Sequence, residues 1–401
     1  MKKQTIVKLP GDGIGKTVLE ESIRVLDAAG FNADYIEGDI GWEFWCHEGN
    51  PLPDRTIQLI EKHKVALFGA ITSKPKDEAF NELAPPLKEK GLVYSSPIVV
   101  LRQHFNLDIC LRPCKTYKGN PLNFIRRGAD GRIEEPEVDV AIFRQNTEGL
   151  YGGVEWSNPP KKVYEAFKTH PRFMKNFGNV PVEELSISTR IFTKKATSRI
   201  LNAAFNYAKK YGYKSVTLCE KPNVIRETSG MMYKMAMEIQ HNEFPKIELR
   251  NTNIDAQMMW LTKNPENYGV IVAGNMFGDI VSDGFAGLIG GLGFACSAQV
   301  NPETGIGVFE PTHGSAPKYA DYSVSIVNPI AMIESACMML DHIDEQKIAT
   351  KIRKAVAEVI SEGKVQTYDM KKVTGRADVI ERGAASTRQM ADGIISQLKN
   401  S

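Results

Sequence analysis

The stretch that decides the fold is NMFGDIVSDGFAGL, residues Asn275–Leu288, which follows an apolar segment at residues 269–273. If this stretch is helical, its two aspartates, Asp279 and Asp283, project from one face, one turn apart. Two carboxylates at that spacing repel each other unless a cation lies between them, and hard oxygen ligands suit Mg²⁺ or Mn²⁺. The same spacing is common on solvated helix faces, so the pair alone does not establish a metal site.

Outward from this stretch, the chain alternates between short apolar strands and amphipathic helices. Such alternation predicts an α/β fold with a largely parallel sheet. We predict strands at residues 5–9, 33–37, 65–68, 138–143, 216–219 and 269–273, and helices at residues 15 to about 29, 54–62, 196–211, 345–362 and 385–399.

Two segments interrupt this alternation. Residues 152–184 combine several prolines with polar and aromatic residues, which predicts an irregular excursion or interaction arm outside the main sheet. Residues 74–94 also contain several prolines and are predicted to form a loop.

The bulk composition narrows the class of protein. A chain of 401 residues is long enough for two domains or one large interleaved unit. The formal net charge is +2, so neither a nucleic-acid-binding nor a membrane-binding surface is indicated. No stretch approaches the ~20 apolar residues of a membrane span, and no signal peptide is expected. We interpret the six scattered cysteines as reduced thiols of a cytoplasmic protein.

The run GDGIG at residues 11–15 follows the first predicted strand and opens the first predicted helix. A dinucleotide-binding fingerprint has the form G-x-G-x-x-G, with an acidic residue about 20 positions further on. Here the third glycine comes one position early, so the sequence argues against a Rossmann fold. The glycines instead predict a tight strand-to-helix turn.

Three arginines, Arg102, Arg112 and Arg144, directly follow short apolar runs that we interpret as strand ends. A guanidinium group binds a carboxylate through two parallel hydrogen bonds, so three converging arginines would suit a polycarboxylate. A single arginine is more often a surface ion pair, but three at the ends of apolar runs favour an anion-binding site.

Two further motifs carry groups suited to proton transfer or phosphate binding. Tyr151 and Lys221 are candidates for a proton-transfer pair, although a packed tyrosine and a solvated lysine are the alternative.

The loop EPTHGSAPKY at residues 310–319 has small residues that allow close backbone approach to a ligand. Its Lys318 and Tyr319 would suit a phosphate, although a lone loop lysine is ordinarily solvent-exposed.

Taken in order, these motifs resemble those of the decarboxylating β-hydroxyacid dehydrogenases, namely the isocitrate, isopropylmalate and homoisocitrate dehydrogenases. The resemblance covers nearly the whole chain. It rests on GDGIG, on L-R and L-R-P around Arg102 and Arg112, on F-R-x-N-x-E-x-x-Y ending at Tyr151, on K-x-N starting at Lys221, on N-x-x-G-D-x-x-S-D and on T-H-G-S-A-P.

The resemblance implies a two-domain α/β fold around a long mixed sheet, which is not a Rossmann fold. In this family the large domain holds both termini, and an arm from the small domain clasps a second subunit. We therefore expect a large domain at residues 1–107 and 290–401 and a small domain at residues 108–148 and 194–289. Residues 149–193 would form the clasp-like arm of a homodimer.

The resemblance also implies catalytic and substrate-binding roles. Arg102, Arg112 and Arg144 would bind the carboxylates of a small polycarboxylate substrate. Tyr151 would protonate the enolate that remains after loss of CO₂. Lys221 would act as the base at the substrate hydroxyl, reaching across the subunit interface.

The resemblance also implies a role for the two aspartates of the stretch at residues 275–288. Asp279 and Asp283 resemble the metal-site aspartates of the family and would bind Mg²⁺ or Mn²⁺. They would be joined by Asp255 from the other subunit of the pair. The resemblance therefore implies active sites that are shared between two subunits.

The cofactor loop implies NADP, with NAD as the alternative. NAD-using members carry an aspartate where this chain has Lys318, because a carboxylate accepts the ribose 2′-hydroxyl and repels a 2′-phosphate. Lys318, Tyr319, Tyr368 and Lys372 resemble the NADP-using isocitrate dehydrogenases, although arginine is commoner at the last position. The other expected cofactor-binding residues are Thr72, Asn223, Glu310, His313, Gly314, Asn328 and Asp369.

The choice of substrate is left open by two residues. Ser96 matches the serine that contacts the distal carboxylate in isocitrate enzymes. Ile98 stands where those enzymes usually have asparagine and isopropylmalate enzymes have an apolar residue. We expect isocitrate first, and isopropylmalate or homoisocitrate second.

A non-catalytic regulatory paralogue is a hypothesis from a different functional class. Such a subunit would be expected to lose a metal-site aspartate, Tyr151 or Lys221, and all of these are present. The substitution Asp283→Ala separates the two hypotheses, because only a catalytic chain should lose turnover.

Overall fold

A long mixed sheet organises the protein, whose computed structural model describes residues 3–400. The strands are β1 (Gln4–Gly11), β2 (Ala33–Glu37), β3 (Val65–Ala70), β4 (Ile109–Lys115), β5 (Arg126–Arg127), β6 (Ile133–Glu134), β7 (Asp139–Gln145), β8 (Glu155–Ser157), β9 (Ser186–Ser188), β10 (Ser215–Glu220), β11 (Glu248–Asn253), β12 (Val270–Ala273), β13 (Cys296–Asn301) and β14 (Ile306–Pro311).

The main sheet has ten strands in the order β11-β10-β12-β7-β4-β13-β14-β3-β1-β2. Strands β11, β10, β12 and β7 are parallel, as are β14, β3, β1 and β2. Between these parts, β4 and β13 pair antiparallel with each other and with their outer neighbours β7 and β14. The expected long mixed sheet is confirmed, and its outer parts have the parallel character that the alternating pattern predicted.

Helices connect the strands and cover the sheet. They are α1 (Gly15–Ala28), α2 (Trp42–Glu48), α3 (Asp54–His63), α4 (Lys76–Asn81), α5 (Pro85–Lys88), α6 (Pro97–His104), α7 (Lys161–Lys168), α8 (Pro171–Phe177), α9 (Lys194–Tyr211), α10 (Thr228–Glu243), α11 (Ile254–Trp260), α12 (Asn275–Leu288), α13 (Pro317–Ala320), α14 (Ile330–His342), α15 (Gln346–Glu362) and α16 (Thr387–Asn400). Within residues 3–400, no helix is both long and apolar enough to cross a membrane.

Burial on both faces explains why the central strands have continuous apolar sequences. Every residue of β3, β10 and β12 is buried, as parallel strands covered by helices on both sides require. Helices α1, α14, α15 and α16 pack together over the β3–β14 part, while α9 and α10 cover the β7–β10 part. All predicted strands and helices are confirmed, with ends that differ by at most two residues.

The prediction of irregular structure was wrong for parts of two segments. Residues 74–94 contain α4 and α5, and residues 152–184 contain α7 and α8. The prolines that suggested loops stand at the starts of these helices: Pro75 and Pro160 precede α4 and α7, and Pro85 and Pro171 open α5 and α8. Proline is well tolerated there, because its missing N–H would have no partner inside the helix.

The turn at residues 11–15 packs against the end of β3, in agreement with the predicted strand-to-helix turn. Gly11 has φ +68°, and a Cβ there would lie 1.8 Å from the carbonyl oxygen of Ala70. The N–H of Ile14 donates to the carbonyl oxygen of Ser315 at 3.0 Å. The glycine-rich turn therefore contacts both the end of β3 and the loop that follows β14.

The strands are divided between the two parts of the sheet in a way that suits the expected domains. Strands β1, β2, β3, β13 and β14 come from residues 1–107 and 290–401, and β4, β7, β10, β11 and β12 from residues 108–148 and 194–289. Residues 149–193 contain the pair β8–β9 and the helices α7 and α8. The domain boundaries and the clasp role of this segment stay predictions.

Candidate active site

Helix α12 carries both aspartates of the first motif and lies against strand β7. Gly278 allows this close packing, because a Cβ there would lie 2.7 Å from the Cβ of Arg144. Asp279 and Asp283 share a face, as their spacing predicts, since Nη1 of Arg112 lies 3.0 Å from Asp279 Oδ1 and 3.3 Å from Asp283 Oδ1. The packing of a glycine against a strand thus holds the carboxylate pair beside the sheet.

Arg112 and Arg144 bring two buried guanidinium groups to one carboxylate. Arg144 is 2% exposed, pairs with Asp279 through Nη1 and donates from Nε to Asn275 Oδ1 at 2.9 Å. Burial, together with the nearby charge of Arg112, lowers the pKa of Arg144 to about 10. Because the side chain of Asp283 is 60% exposed, Asp279 supplies most of the compensating charge. The cluster can therefore accept a carboxylate from a ligand.

The expectation that the three arginines lie at strand ends is wrong for two of them. Arg112 lies in the middle of β4, and Arg102 lies on helix α6. Arg144 does lie near the end of its strand, β7. The apolar residues before Arg102 belong to a short helix, in which Leu101 is fully buried, Val100 is partly buried and Val99 is exposed. Such runs are too short to distinguish a strand from a buried helix by periodicity.

Arg102 is held by two residues of the central strands. Its Nε donates to Oε1 of Gln299 at 2.5 Å, and its Nη2 lies 3.3 Å from Oε1 of Glu310. Gln299 also donates to the same carboxylate of Glu310. Burial raises the pKa of Glu310, while the charges of Arg102 and Arg112 oppose this rise. Glu310 is thus the ion-pair partner of Arg102 here, and its expected role with a cofactor stays a prediction.

Tyr151 lies over the arginine–aspartate cluster on a short 3₁₀ turn, Leu150–Gly152. Its hydroxyl is 3.4 Å from Oδ2 of Asp279, and its ring centre is 5.6 Å from the guanidinium carbon of Arg144. Burial and the charge of Asp279 raise the pKa of Tyr151. The phenol is therefore protonated at neutral pH and can donate a proton.

Lys221 and Asp255 form a second cluster. Lys221 follows β10, and its Nζ pairs with Oδ1 of Asp255 in the first turn of α11. The hydrogen bond from Lys221 lowers the pKa of Asp255. Within residues 3–400, no hydrogen bond or ion pair joins Lys221 or Asp255 to Asp279. The single chain therefore presents the expected catalytic residues as two separate groups.

Ser96 and Ile98 lie at the start of the same helix, α6, but face different surroundings. Ser96 is half-buried at the N-cap position, and its hydroxyl accepts a hydrogen bond from the Ser73 hydroxyl at 3.3 Å. Ile98 is buried in the hydrophobic core together with Phe68 and Leu101. The structure thus leaves the serine open to polar groups and buries the isoleucine.

Thr72 and the loop after β14 meet at the glycine-rich turn. Oγ1 of Thr72 lies 2.6 Å from Oγ of Ser315. His313 places Nδ1 3.0 Å from the carbonyl oxygen of Gly314, while its solvent-shielded Nε2 has no hydrogen-bond partner among residues 3–400. Burial lowers the pKa of His313, so the ring is neutral at pH 7. An unpartnered ring nitrogen beside small residues fits a loop that receives a polar ligand.

The four residues expected near a 2′-phosphate lie where two distant segments meet. Nζ of Lys318 is 4.6 Å from the ring centre of Tyr319, and the rings of Tyr319 and Tyr368 are 5.6 Å apart. Lys372 stands on the turn after Tyr368, which the N–H of Val373 closes by donating to the Tyr368 carbonyl oxygen at 3.1 Å. Lys318 and the two phenols are donors that suit a phosphate, and Lys372 stands four residues after Tyr368 on the adjoining turn.

The remaining expected cofactor residues are placed as follows. Nδ2 of Asn328 donates to Oδ2 of Asp369 at 3.1 Å, and Oγ1 of Thr367 donates to its Oδ1 at 2.5 Å. Asn223 is exposed on the turn that follows Lys221. Asn328 and Asp369 therefore belong to one hydrogen-bonded group, and Asn223 to the neighbourhood of the lysine.

Comparison with known proteins identifies the family. The sequence model of the isocitrate/isopropylmalate dehydrogenases matches residues 5–394. The chain belongs to the isocitrate/isopropylmalate dehydrogenase family. Its members are NAD(P)-dependent decarboxylating dehydrogenases that act on hydroxy acids, so the expected enzyme class is confirmed at the level of the family.

Individual relatives are similar to this chain over nearly its whole length. Protein DlpA of Legionella pneumophila is 38% identical over 97% of this chain, which spans 58% of the length of DlpA. The 3-isopropylmalate dehydrogenase of Methanothermobacter thermautotrophicus is 33% identical over 98% of this chain and 100% of its own length. The crystal structure of isocitrate dehydrogenase from Methylococcus capsulatus has a TM-score of 0.79 at 32% identity and covers 99% of both chains. The relatives thus differ in their named substrates.

The expected metal ligands of this isocitrate/isopropylmalate dehydrogenase family member are only partly together. Among residues 3–400, no group of three or more His, Cys, Asp or Glu side chains could hold a metal ion. Asp279 and Asp283 provide two adjacent carboxylates, and such hard oxygen donors fit Mg²⁺ or Mn²⁺. A three-carboxylate set would therefore need Asp255 from another chain, and this role stays a prediction.

Several residues that build the site were missed by sequence reasoning. Asn275 and Ser282 hold Arg144 and Arg112, and both lie inside the N-x-x-G-D-x-x-S-D motif, which could have revealed them. Asp12 lies inside GDGIG and accepts the N–H of Thr72 at 2.7 Å. Gln299 belongs to no motif, so only its contact with Arg102 in the folded chain reveals its role.

Proposed function

We propose that this protein catalyses the metal-dependent oxidative decarboxylation of isocitrate to 2-oxoglutarate and CO₂, with reduction of NADP. The observation that carries the choice of substrate is the contrast between Ser96 and Ile98. The serine hydroxyl is available beside Ser73, whereas the isoleucine is buried in the core. The polar surface that Ser73 and Ser96 form suits the distal carboxylate of isocitrate better than it suits the apolar branch of isopropylmalate.

The three arginines would bind the substrate carboxylates. Arg112 and Arg144 already converge on Asp279, so a ligand carboxylate can share guanidinium groups that are buried and oriented in advance. Arg102 is held rigidly between Gln299 and Glu310. Fixed arginines lower the entropic cost of binding a flexible polycarboxylate.

Two residues would move protons. Lys221 would take the proton of the substrate hydroxyl, and Tyr151 would give a proton to the carbon that loses CO₂. The position of the Tyr151 hydroxyl, 3.4 Å from Oδ2 of Asp279 beside the two arginines, supports the second role. Asp279 and Asp283 would hold a divalent cation, which would supply positive charge, and bound NADP would supply a hydride acceptor.

Shared active sites are part of this proposal. Lys221 and Asp255 form a cluster of their own, separate from Asp279 and Tyr151 within the described chain. Two subunits facing each other would let the Lys221 cluster of one complete the Asp279 cluster of the other. We therefore propose a homodimer, located in the cytoplasm, where reduced cysteines are stable.

The choice of NADP rests on Lys318, Tyr319, Tyr368 and Lys372. Lys318, Tyr319 and Tyr368 lie close together, and Lys372 follows on the turn after Tyr368, so the four residues carry two positive charges and two hydroxyls. A lysine provides charge to a 2′-phosphate, although it lacks the two-pronged geometry of arginine.

The test is the reduction of nicotinamide, followed by absorbance, with purified protein and Mn²⁺. Isocitrate, isopropylmalate and homoisocitrate are each combined with NADP and with NAD. Rapid reduction with isocitrate and NADP supports the proposal. Turnover confined to isopropylmalate or homoisocitrate refutes the substrate assignment, and turnover confined to NAD refutes the cofactor assignment. If no combination of hydroxy acid and cofactor gives reduction, the result supports a regulatory subunit instead.

A pair of neighbouring serines provides the matched variants. Ser96→Ala should lower kcat/KM for isocitrate by roughly 5- to 30-fold, because one hydrogen bond to the substrate is lost. Ser95→Ala, at the exposed serine beside it, should leave this value unchanged. Equal effects of the two substitutions would contradict a substrate contact at Ser96.

A further inference from the structure

Thr72 follows the end of β3, yet side chains hold both of its backbone polar groups. Its N–H donates to Oδ2 of Asp12 at 2.7 Å. Its carbonyl oxygen accepts a hydrogen bond from the hydroxyl of Tyr94 at 2.8 Å. Strand β3 ends at Ala70, so the sheet no longer fixes this part of the chain. Two side chains from distant segments therefore do what strand pairing does elsewhere.

The two side chains that hold Thr72 are themselves connected. The other oxygen of Asp12, Oδ1, accepts the N–H of Trp42 at 2.7 Å. The Trp42 ring packs on the Tyr94 ring with centres 5.0 Å apart, and the Trp45 ring also contacts it at 5.3 Å. Thr72, Asp12, Trp42 and Tyr94 thus form a closed ring of contacts, which we call the Thr72 clamp.

The segment at residues 76–94 anchors the Thr72 clamp. Nε1 of Trp45 donates to the carbonyl oxygen of Ala79 at 2.8 Å, and Nε1 of Trp42 donates to Oε2 of Glu82 at 2.6 Å. Leu83 and Leu87 are buried against Trp45 in a small hydrophobic core. This segment is therefore a packed support for Tyr94.

The Thr72 clamp lies between the two ligand sites of the proposed function. The hydroxyl of Thr72 is 2.6 Å from that of Ser315, in the loop expected to bind the cofactor. The next residue, Ser73, places its hydroxyl 3.5 Å from that of Tyr94 and 3.3 Å from that of Ser96. A shift of this backbone would therefore reach both sites together.

We propose that Tyr94 and Asp12 are positioning residues that fix Thr72 and Ser73 between the cofactor loop and the substrate serine, Ser96. The inference rests on the proposed function, because it assumes that these two sites bind the nicotinamide and the hydroxy acid. Hydride transfer demands close alignment of the two reactants, so a backbone fixed before binding raises the rate. As a positioning residue, Tyr94 would act through its contacts with Thr72 and Ser73.

The test is the substitution Tyr94→Phe, which keeps the ring in contact with Trp42 and Trp45 and removes only the hydroxyl. We expect kcat/KM for the hydroxy acid to fall by roughly 5- to 30-fold, as for the loss of one partly buried hydrogen bond. We also expect the Kd of NADPH, measured by fluorescence titration, to rise by roughly 5-fold, because Thr72 belongs to the cofactor side as well.

The matched control is Tyr213→Phe. The Tyr213 hydroxyl donates to Oδ1 of Asp139 at 2.7 Å, at the end of β7 opposite to Arg144. This variant should lose similar stability without any change in kcat/KM or in the Kd of NADPH. If Tyr94→Phe behaves like Tyr213→Phe, the hydroxyl of Tyr94 is merely structural and the inference is overturned.

The NADPH titration separates the inference from the proposed function. If the wild-type protein oxidises none of the hydroxy acids, the proposed function fails, but the Kd still tests the Thr72 clamp. A higher Kd for Tyr94→Phe than for the wild type then supports the inference, and equal values refute it.

Discussion

Replacing Asp279 by asparagine should destabilise the protein strongly, apart from its effect on activity. Asp279 is the carboxylate that contacts both buried guanidinium groups, Arg112 and Arg144. Removing one partner of a buried ion pair costs about 3–5 kcal/mol, because the remaining charge has lost its compensation. The Asp279 side chain is 31% exposed, so water offsets part of this cost and we expect about 3 kcal/mol.

Asp283→Asn is the matched control, since it makes the same chemical change one helical turn away. The Asp283 side chain is 60% exposed and contacts Arg112 by one bond of 3.3 Å. Exposed pairs of this kind contribute less than about 1 kcal/mol. Both substitutions should abolish metal-dependent turnover, but only Asp279→Asn should greatly lower the free energy of unfolding.

The assay is urea unfolding followed by tryptophan fluorescence, in the presence of a chelator and at one protein concentration. The chelator removes the contribution of any bound metal, and the fixed concentration keeps the contribution of assembly equal. The difference between the two variants should be about 2 kcal/mol. Equal losses within about 0.5 kcal/mol would refute the reasoning that Asp279 compensates the buried arginines.

Three further predictions concern the cofactor, the assembly and the pH dependence. Lys318→Asp should reverse the cofactor preference, measured as the ratio of kcat/KM for NADP to that for NAD, and an unchanged ratio would contradict the role of this lysine. The inactive variants Asp283→Ala and Lys221→Ala can be mixed, dissociated and reassembled. If two subunits share each site, the mixture should recover about a quarter of the wild-type turnover. No recovery would indicate that each subunit has an independent site. Burial raises the pKa of Asp108 from 3.8 to about 6, although the charge of Arg199, 3.0 Å away, opposes this rise. The folded protein therefore binds this proton more tightly than the unfolded chain does. The stability that this gives is fully present below about pH 4 and is lost as the pH rises through 6. Between pH 4 and pH 7 the wild type should therefore lose up to about 3 kcal/mol of unfolding free energy relative to Asp108→Asn, and parallel curves for the two proteins would show that this carboxyl does not titrate in that range.

Much of the fold was predictable, because the information is local. The alternation of apolar and polar residues identified the strands and helices of the sheet, and their ends agree within two residues. The errors fell on residues 74–94 and 152–184, where prolines at helix starts were interpreted as loop signals. A proline fits the first turn of a helix as well as a loop, so its presence alone cannot distinguish the two.

The candidate site was predictable only in part. Asp279 and Asp283 share a face because the helical period fixes the direction of residues four apart. The partners of Arg102 could not be inferred, because Gln299 and Glu310 reach it only through the order of strands in the sheet. The contrast between Ser96 and Ile98 also needed the structure, since burial depends on what packs against a helix.

The sequence by itself determined the succession of strands and helices, the motifs of the isocitrate/isopropylmalate dehydrogenase family and the spacing of the carboxylate pair. Only the tertiary structure decided that Tyr94 and Asp12 meet at Thr72, and that Lys221 and Asp255 form a cluster apart from Asp279. The physical reason is that periodicity and turn chemistry act between neighbours in the chain. Contacts between distant segments depend instead on how the apolar faces of the whole sheet are buried together.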